Sequence, residues 1–213
     1  LSEAPHVTTL FEADLTAVLA HRSRAAAQFE RQGTRLTLSA YFIAACAAAL
    51  REHPRINATY DADALLLHAD ANIGIGTALG DDGLIVPVLK RAQDLDLFGI
   101  ASELGRLVTA ARAGTLAPEQ VRGGTFTISN HGVGGSLLAA PIVINQPQVA
   151  ILGVGKVERR VCAIAVNGCE AIAVRSMCYL TLTIDHRAID AFQANAFLAA
   201  VVAGLDRWPP EEA

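Results

Sequence analysis

Lysine is nearly absent from this chain. Of its 17 basic residues only Lys90 and Lys156 are lysines, and 21 acidic residues outnumber them all. The net charge of −4 and the pI near 5.8 argue against non-specific binding to nucleic acid or to an anionic membrane. They do not exclude an anionic cofactor, because a helix N-terminus and one or two arginines hold phosphates locally. Charged residues are also scarce, at 18%, against 52% hydrophobic residues and a mean hydropathy of +0.36. That balance excludes intrinsic disorder. The four cysteines, Cys46, Cys162, Cys169 and Cys178, have neither CxxC nor zinc-finger spacing. With apolar neighbours around each, they read as reduced core residues of a reducing compartment. Long hydrophobic runs are missing too: Tyr41 to Leu50, with Ala40 before it, is the longest, short of the roughly 18 to 20 residues of a membrane-spanning helix. The opening Leu1-Ser2-Glu3-Ala4-Pro5 lacks the basic region and apolar stretch of a secretory leader. What remains is a soluble globular chain with more apolar surface than a monomer should show, which points to an oligomer.

At 213 residues the chain reads as one domain. His6 to Asp14 alternates and carries β-branched residues, as a strand does. Asp14 or Thr16 then caps a helix running to about Arg31, and Thr37 to Glu52 is apolar around most of its circumference, as a buried helix is. Short strands are expected over Ile56 to Tyr60, Ala64 to His68, Asn72 to Ala78 and Leu84 to Lys90, parted by turns at Asp61-Ala62-Asp63 and Asp81-Asp82-Gly83. Leu95 to Ala113 has helical spacing, and Gly124 to Ser129 alternates. Val149 to Val154 is a continuous apolar run, and Asn167-Gly168 joins Arg159 to Val166 with Ala171 to Thr183 as a hairpin. A helix from Asp190 to Trp208 ends at Pro209-Pro210. Runs of strands with helices laid against them predict an α+β sandwich built on one large mixed sheet.

Several familiar site patterns fail. Gly153-Val154-Gly155-Lys156 lacks the P-loop glycine where Ala150 stands and the hydroxyl where Val157 stands. Gly132-Val133-Gly134-Gly135 follows a strand without dinucleotide-binding spacing, and there is no Gly-x-Ser-x-Gly elbow. Asn57-Ala58-Thr59 fits a glycosylation sequon by chance. His6, His21, His53, His68 and His131 share no metal-ligand spacing and read as surface, cap or core histidines. No metal is expected.

Asp185-His186-Arg187-Ala188-Ile189-Asp190 is different. A strand delivers an imidazole to its end and a helix begins at the aspartate. Such an imidazole, with an ordinary pKa near 6.5, is mostly neutral at pH 7 and accepts a proton. Read alone, the segment is either a general base or a capped strand-to-helix junction with an exposed histidine. Gly123-Gly124-Thr125-Phe126-Thr127-Ile128-Ser129 adds a hydroxyl at a strand end before a glycine-rich turn.

Together these segments make the chain resemble the catalytic domain of the dihydrolipoyllysine-residue acyltransferases, the E2 cores of 2-oxo acid dehydrogenase complexes. The resemblance extends through Pro5-His6-Val7-Thr8-Thr9, Pro54-Arg55-Ile56-Asn57-Ala58, Asp82-Gly83-Leu84-Ile85-Val86-Pro87-Val88 and Pro147 to Gly153, in the family's order along nearly the whole chain. It implies a chloramphenicol-acetyltransferase-like two-layer sandwich. It also implies acyl transfer between the dihydrolipoyl thiol of a lipoyl domain and coenzyme A. His186 would be the general base, Ser129 the donor to the oxyanion, and Asp190 the residue that holds the histidine loop. Ser136 would contact the acyl substrate. The resemblance further implies a homotrimer with His186 from one subunit and Ser129 from its neighbour at each site. Trimers of this family build cages of 24 or 60 subunits and work with a lipoyl domain and the E1 and E3 components, in the bacterial cytoplasm or the mitochondrial matrix. The lipoyl and peripheral-subunit-binding domains are not in this sequence, which reads as the core of a longer chain.

Two departures from the family pattern stand out. Ala191 replaces its glycine, a change that is harmless in the first turn of a helix and costly at positive φ. Gly135-Ser136-Leu137, the early Val-Thr-Thr and the Asn167-Gly168 hairpin resemble the succinyl-transferring branch, yet Val154-Gly155 stand where that branch carries Met-His. Succinyl is therefore slightly favoured, with branched-chain and acetyl donors open. The competing readings are a catalytically silent cage scaffold and a free-standing acyltransferase like chloramphenicol acetyltransferase. The motif of the latter opens His-His where this chain has Asp185-His186.

Overall fold

The computed structural model describes residues 4–61 and 64–209. Strand β1 (His6–Asp14) leads into helix α1 (Thr16–Arg31), and α2 (Leu38–Glu52) follows. Val7, Leu10 and Glu12 of β1 are exposed, while α2 buries Tyr41, Phe42, Ile43, Cys46 and Leu50 together with four of its six alanines. A helix apolar on every side has no stable place except between other layers. The small strands β2 (Ala58–Asp61), β3 (Ala64–Leu67), β4 (Ile73–Ile75), β5 (Thr77–Ala78), β6 (Leu84–Ile85) and β7 (Val88–Leu89) come next, then α3 (Leu97–Arg112). The second half holds β8 (Phe126–Asn130), β9 (Ala150–Val154), β10 (Glu158–Val166), β11 (Cys169–Asp185) and α4 (Ala191–Asp206).

One seven-stranded sheet organises the chain, in the order β1-β11-β9-β8-β4-β7, with β10 paired to β11. β8 runs parallel to both β4 and β9, and the other pairs are antiparallel, so the sheet is mixed as expected. Its two faces differ. Phe126, Ile128, Leu152, Val154, Leu180, Leu182 and Ile184 point into the helix-covered core with Phe197 and Leu198 of α4. The rings of Phe126 and Phe197 meet edge to face, 5.5 Å between centroids. Thr127, Thr181 and Thr183 alternate with those residues and therefore face the other way.

That second face is crossed by an irregular strap, residues 132–148. Thr181 Oγ1 donates to Ala139 O at 2.9 Å, Thr183 Oγ1 accepts from Ile142 N at 3.2 Å, and Thr127 Oγ1 donates to Gln148 Oε1 at 2.6 Å. The strap lies so close that a Cβ at Gly153 would sit 2.3 Å from Thr181 Oγ1, and one at Gly155 would sit 2.0 Å from Leu137 O.

β9 and β10 run along the same long partner, β11, and beyond the sheet β10 and β11 continue as a two-stranded ribbon. Its turn is Asn167-Gly168 with both φ positive, at 51° and 80°, the geometry of a type I′ hairpin. Val161, Val174 and Ile172 of the ribbon are exposed, the last at 82%. Two apolar strands left in water are marginal by themselves. Among the described residues no helix is long and apolar enough to cross a membrane.

The structure amends several local expectations. The strand expected over Asn72 to Ala78 is broken at Gly76, whose N–H donates to Ile128 O while β5 turns away to pair with β6. Leu84 to Lys90 divides at Val86-Pro87, because Pro87 has no N–H for the ladder and contributes only its carbonyl, to Ile75 N. Ile56 belongs to a 3₁₀ turn (Pro54–Ile56), with the strand starting at Ala58. The N-cap of α1 is Leu15, although Asp14 Oδ1 still accepts from Thr16 N at 2.9 Å. Cys46 and Cys178 are buried as expected, but Cys162 is half-buried and Cys169 is exposed beside the hairpin turn. The Asp61-Ala62-Asp63 turn and the Pro209-Pro210 end lie partly outside the described residues.

Candidate active site

The histidine turn is fixed through its backbone. Asp185 ends β11, its N–H donating to Val149 O at 2.8 Å. The next amide, His186 N, donates to Pro5 O at 2.9 Å, just before β1, and the amides of Ala188 and Ile189 both return to Asp185 O. Ala188 and Ile189 are buried and anchor the turn, while His186 itself is exposed. Among the described residues no hydrogen bond engages its imidazole.

Beneath it lies an ion pair. Asp185, 1% exposed, accepts from Arg187 N at 3.1 Å, from Nε at 3.0 and 3.2 Å, and from Nη2 at 2.6 Å. The guanidinium also stacks over the Tyr60 ring, 4.7 Å from its centroid. Burial by itself would raise the pKa of Asp185, but the hydrogen bonds and charge of Arg187, with His6 nearby, outweigh it and hold the carboxyl below its ordinary value. Asp190 is the N-cap of α4. Its carboxylate accepts from Gln193 N at 2.9 Å and Gln193 Oε1 accepts from Asp190 N at 3.3 Å, a capping box. That carboxylate is thus committed to the helix, and among the described residues no hydrogen bond joins it to the imidazole. Ala191 is the first residue of α4, a position at which alanine and glycine both fit.

Ser129 stands near the end of β8, half-buried, with Oγ 3.1 Å from His131 Nε2. Ser136 sits in the strap on the same side of the sheet. Its Oγ donates to Leu138 O at 2.9 Å, and its carbonyl accepts from Lys156 N at 2.8 Å. The sheet register keeps Ser129 and His186 apart. Ser129 is level with Gly153, which is level with Thr181, five residues before His186. Five residues along a strand and two strand spacings across amount to about 19 Å. The structure therefore assembles His186 with Asp185, Arg187 and Asp190 at one end of the sheet, and Ser129 with His131 and Ser136 towards the other. From the sequence His131 reads as one more surface, cap or core histidine. Its signal was the two-residue step from Ser129, which places both side chains on one face of a strand. Among the described residues no cluster of three His, Cys, Asp or Glu side chains is placed to hold a metal ion.

The family model described as 2-oxoacid dehydrogenases acyltransferase (catalytic domain) matches residues 1–210. The chain belongs to that family. This catalytic domain is 41% identical over 206 residues to the dihydrolipoyllysine-residue succinyltransferase component of the 2-oxoglutarate dehydrogenase complex from Bartonella vinsonii, covering 95% of the chain and 48% of the relative. Over 205 residues it is 40% identical to the acetyltransferase component of the pyruvate dehydrogenase complex from Mycobacterium tuberculosis, covering 94% and 37%. The lipoamide acyltransferase component of the branched-chain alpha-keto acid dehydrogenase complex from Pseudomonas aeruginosa is 39% identical, with 92% and 45% covered. The chain thus spans less than half the length of these relatives, and overall identity does not separate the three acyl groups.

Among solved structures, a probable dihydrolipoamide acetyltransferase from Listeria monocytogenes superposes with a TM-score of 0.91 at 38% identity, covering all of this chain and 88% of that one. A dihydrolipoamide acetyltransferase of Azotobacter vinelandii gives 0.89 at 32%, covering 97% and 83%; its catalytic mechanism was investigated at a serine, a histidine and an asparagine four positions further on. Chloramphenicol acetyltransferase gives 0.63 at 16%, covering 95% and 89%. At that identity the likeness shows the fold alone, and it is the sandwich expected from the sequence.

Proposed function

We propose that this domain transfers an acyl group between the dihydrolipoyl thiol of a lipoyl domain and the thiol of coenzyme A. The observation that carries the reading is an exposed imidazole, free of hydrogen bonds among the described residues, on a turn pinned at Asp185, His186, Ala188 and Ile189. A free thiol with a pKa near 8.5 is mostly protonated at neutral pH, so attack on a thioester needs a base. His186 takes the proton from the attacking sulfur. The thiolate adds to the thioester carbonyl, and the resulting oxyanion accepts a hydrogen bond from Ser129. Collapse expels the other sulfur, which recovers the proton from His186. One thioester replaces another, so the step is close to isoenergetic and needs neither nucleotide hydrolysis nor a metal. Ser129, His186 and Asp190 repeat the order, and the four-residue step after the histidine, of the three positions investigated in the Azotobacter relative.

The separation of about 19 Å between Ser129 and His186 in one chain supports a site built from two subunits of a homotrimer. The exposed apolar ribbon supports the same assembly, and the cubic core formed by a structural relative of 0.89 TM-score supports a larger cage. The lipoyl domain and the E1 and E3 components are the partners of this reading. Gly135-Ser136-Leu137 puts succinyl first among the acyl groups, with Ser136 at the acyl subsite. The test is incubation of the purified chain with dihydrolipoamide and, separately, acetyl-, succinyl- and isobutyryl-CoA, following release of free CoA. Preferred release from one donor supports transfer and names the acyl group. No release from a folded oligomer favours the silent scaffold.

A further inference from the structure

Ser129 has one hydroxyl hydrogen, and stabilising an oxyanion requires that hydrogen to point at the substrate. What sets its direction is on the next residue of the same face. Ser129 and His131 are two positions apart, and the imidazole Nε2 stands 3.1 Å from Oγ. The backbone under the imidazole is tied down. His131 N donates to Val154 O at 2.9 Å, and His131 O accepts from Gly134 N at 3.0 Å and from Ser136 N at 3.3 Å. The other hydroxyls of this sheet face have different commitments: Thr127 to Gln148, Thr181 to Ala139 O, and Thr183 to Thr8 and Ile142 N. Ser129 alone among these has an imidazole at its oxygen.

This contact exists in two forms with opposite consequences. If Nε2 is bare, it accepts the serine hydrogen, and an oxyanion would meet only lone pairs on Oγ. If Nε2 carries the hydrogen, it donates to Oγ and leaves the hydroxyl hydrogen free to turn toward the acyl carbonyl. An O–H whose oxygen already accepts a hydrogen bond is polarised, so it donates more strongly. We propose that His131 is a positioning residue for the transfer reaction: its Nε2–H holds Ser129 Oγ and aims the single hydroxyl hydrogen at the oxyanion. The inference rests on the reading of Ser129 as oxyanion donor. Both the Nε2–H neutral tautomer and the imidazolium donate through this nitrogen, so the role needs no exchange of protons during turnover.

The test uses the purified chain, dihydrolipoamide and the preferred acyl-CoA, with five variants. His131→Leu should lower kcat about tenfold and leave KM within twofold. His131→Gln should recover most of the rate, because the glutamine amide reaches the position of Nε2. His131→Asn, whose amide stops at the position of Nδ1, should not recover it. Combined with Ser129→Ala, His131→Leu should cost nothing further, since there is no hydroxyl left to aim. The Gln and Asn pair keeps the contrast measurable if the leucine variant does not fold. A leucine variant as fast as the parent, or one whose loss persists undiminished on the Ser129→Ala background, overturns the assignment while leaving Ser129 in its role. A Ser129→Ala variant at full rate overturns both.

Discussion

The two halves of the candidate site are built in opposite ways. At the end of β11 the structure constrains the main chain: four backbone amides and a buried ion pair fix the turn, and among the described residues no hydrogen bond engages the imidazole of His186. At the end of β8 the main chain is ordinary strand and the constraint falls on the side chain, where His131 meets the Ser129 hydroxyl. The difference suits the two tasks proposed for these residues. A base has to accept a proton from a sulfur that arrives and return it to one that leaves, so a partner at its acceptor nitrogen would compete. An oxyanion donor never changes state and benefits from being aimed beforehand.

Breaking the base half should have the largest effect. His186→Ala is expected to lose at least about 10³ in rate with the fold retained, seen as a fall in CoA release with an unchanged circular dichroism spectrum. On the hydroxyl half, Ser129→Ala should cost on the order of 10² to 10³ in kcat with coenzyme A affinity nearly unchanged. Steady-state kinetics would expose a KM effect, which would instead mean that Ser129 binds ground-state substrate.

The scaffold of the base half should then show in stability. Arg187→Ala leaves Asp185 buried without its cation, so urea unfolding is expected to show a loss of roughly 3 kcal/mol. The sign of the pH dependence follows from the lowered carboxyl. A group with a depressed folded-state pKa contributes stability that is present above its unfolded value, about 3.9, and is lost as pH falls through the folded one. Urea midpoints should therefore drop below about pH 4, and Asp185→Asn should flatten that acid limb. Asp190→Ala removes a helix cap and should cost about 1 kcal/mol, with a smaller loss of rate than His186→Ala because its carboxylate is committed to the helix. Ala191→Gly sharpens the comparison from the other side. At the first position of α4 it should shift stability by at most about 1 kcal/mol and leave the rate unchanged.

Much of this was written locally. β1 matches the strand expected over His6 to Asp14, and the hairpin closes on Asn167-Gly168, because alternation and a positive-φ turn are properties of a few neighbouring residues. The His186-to-Asp190 junction was legible for the same reason: strand, turn and N-cap follow one another in the chain. The breaks at Gly76 and Pro87 were less so, since they depend on which carbonyl waits across the sheet. The distance between Ser129 and His186 is harder still. It is a consequence of register, of Ser129 standing level with Gly153 and Gly153 with Thr181, and no window of residues contains it. His131 is not legible from the spacing of histidines, because its partner is a hydroxyl two residues back.

The long strand β11 also bears on how this chain can change length. Its period of two sends Leu180, Leu182 and Ile184 to the helices and Thr181 and Thr183 to the strap, with His186 just beyond. One residue inserted or deleted between Met177 and Asp185 would exchange those two sets and rotate the histidine turn away with them. Insertions and deletions have room at the Asn167-Gly168 turn, where the ribbon ends in solvent, and almost none along the stretch that leads to the base.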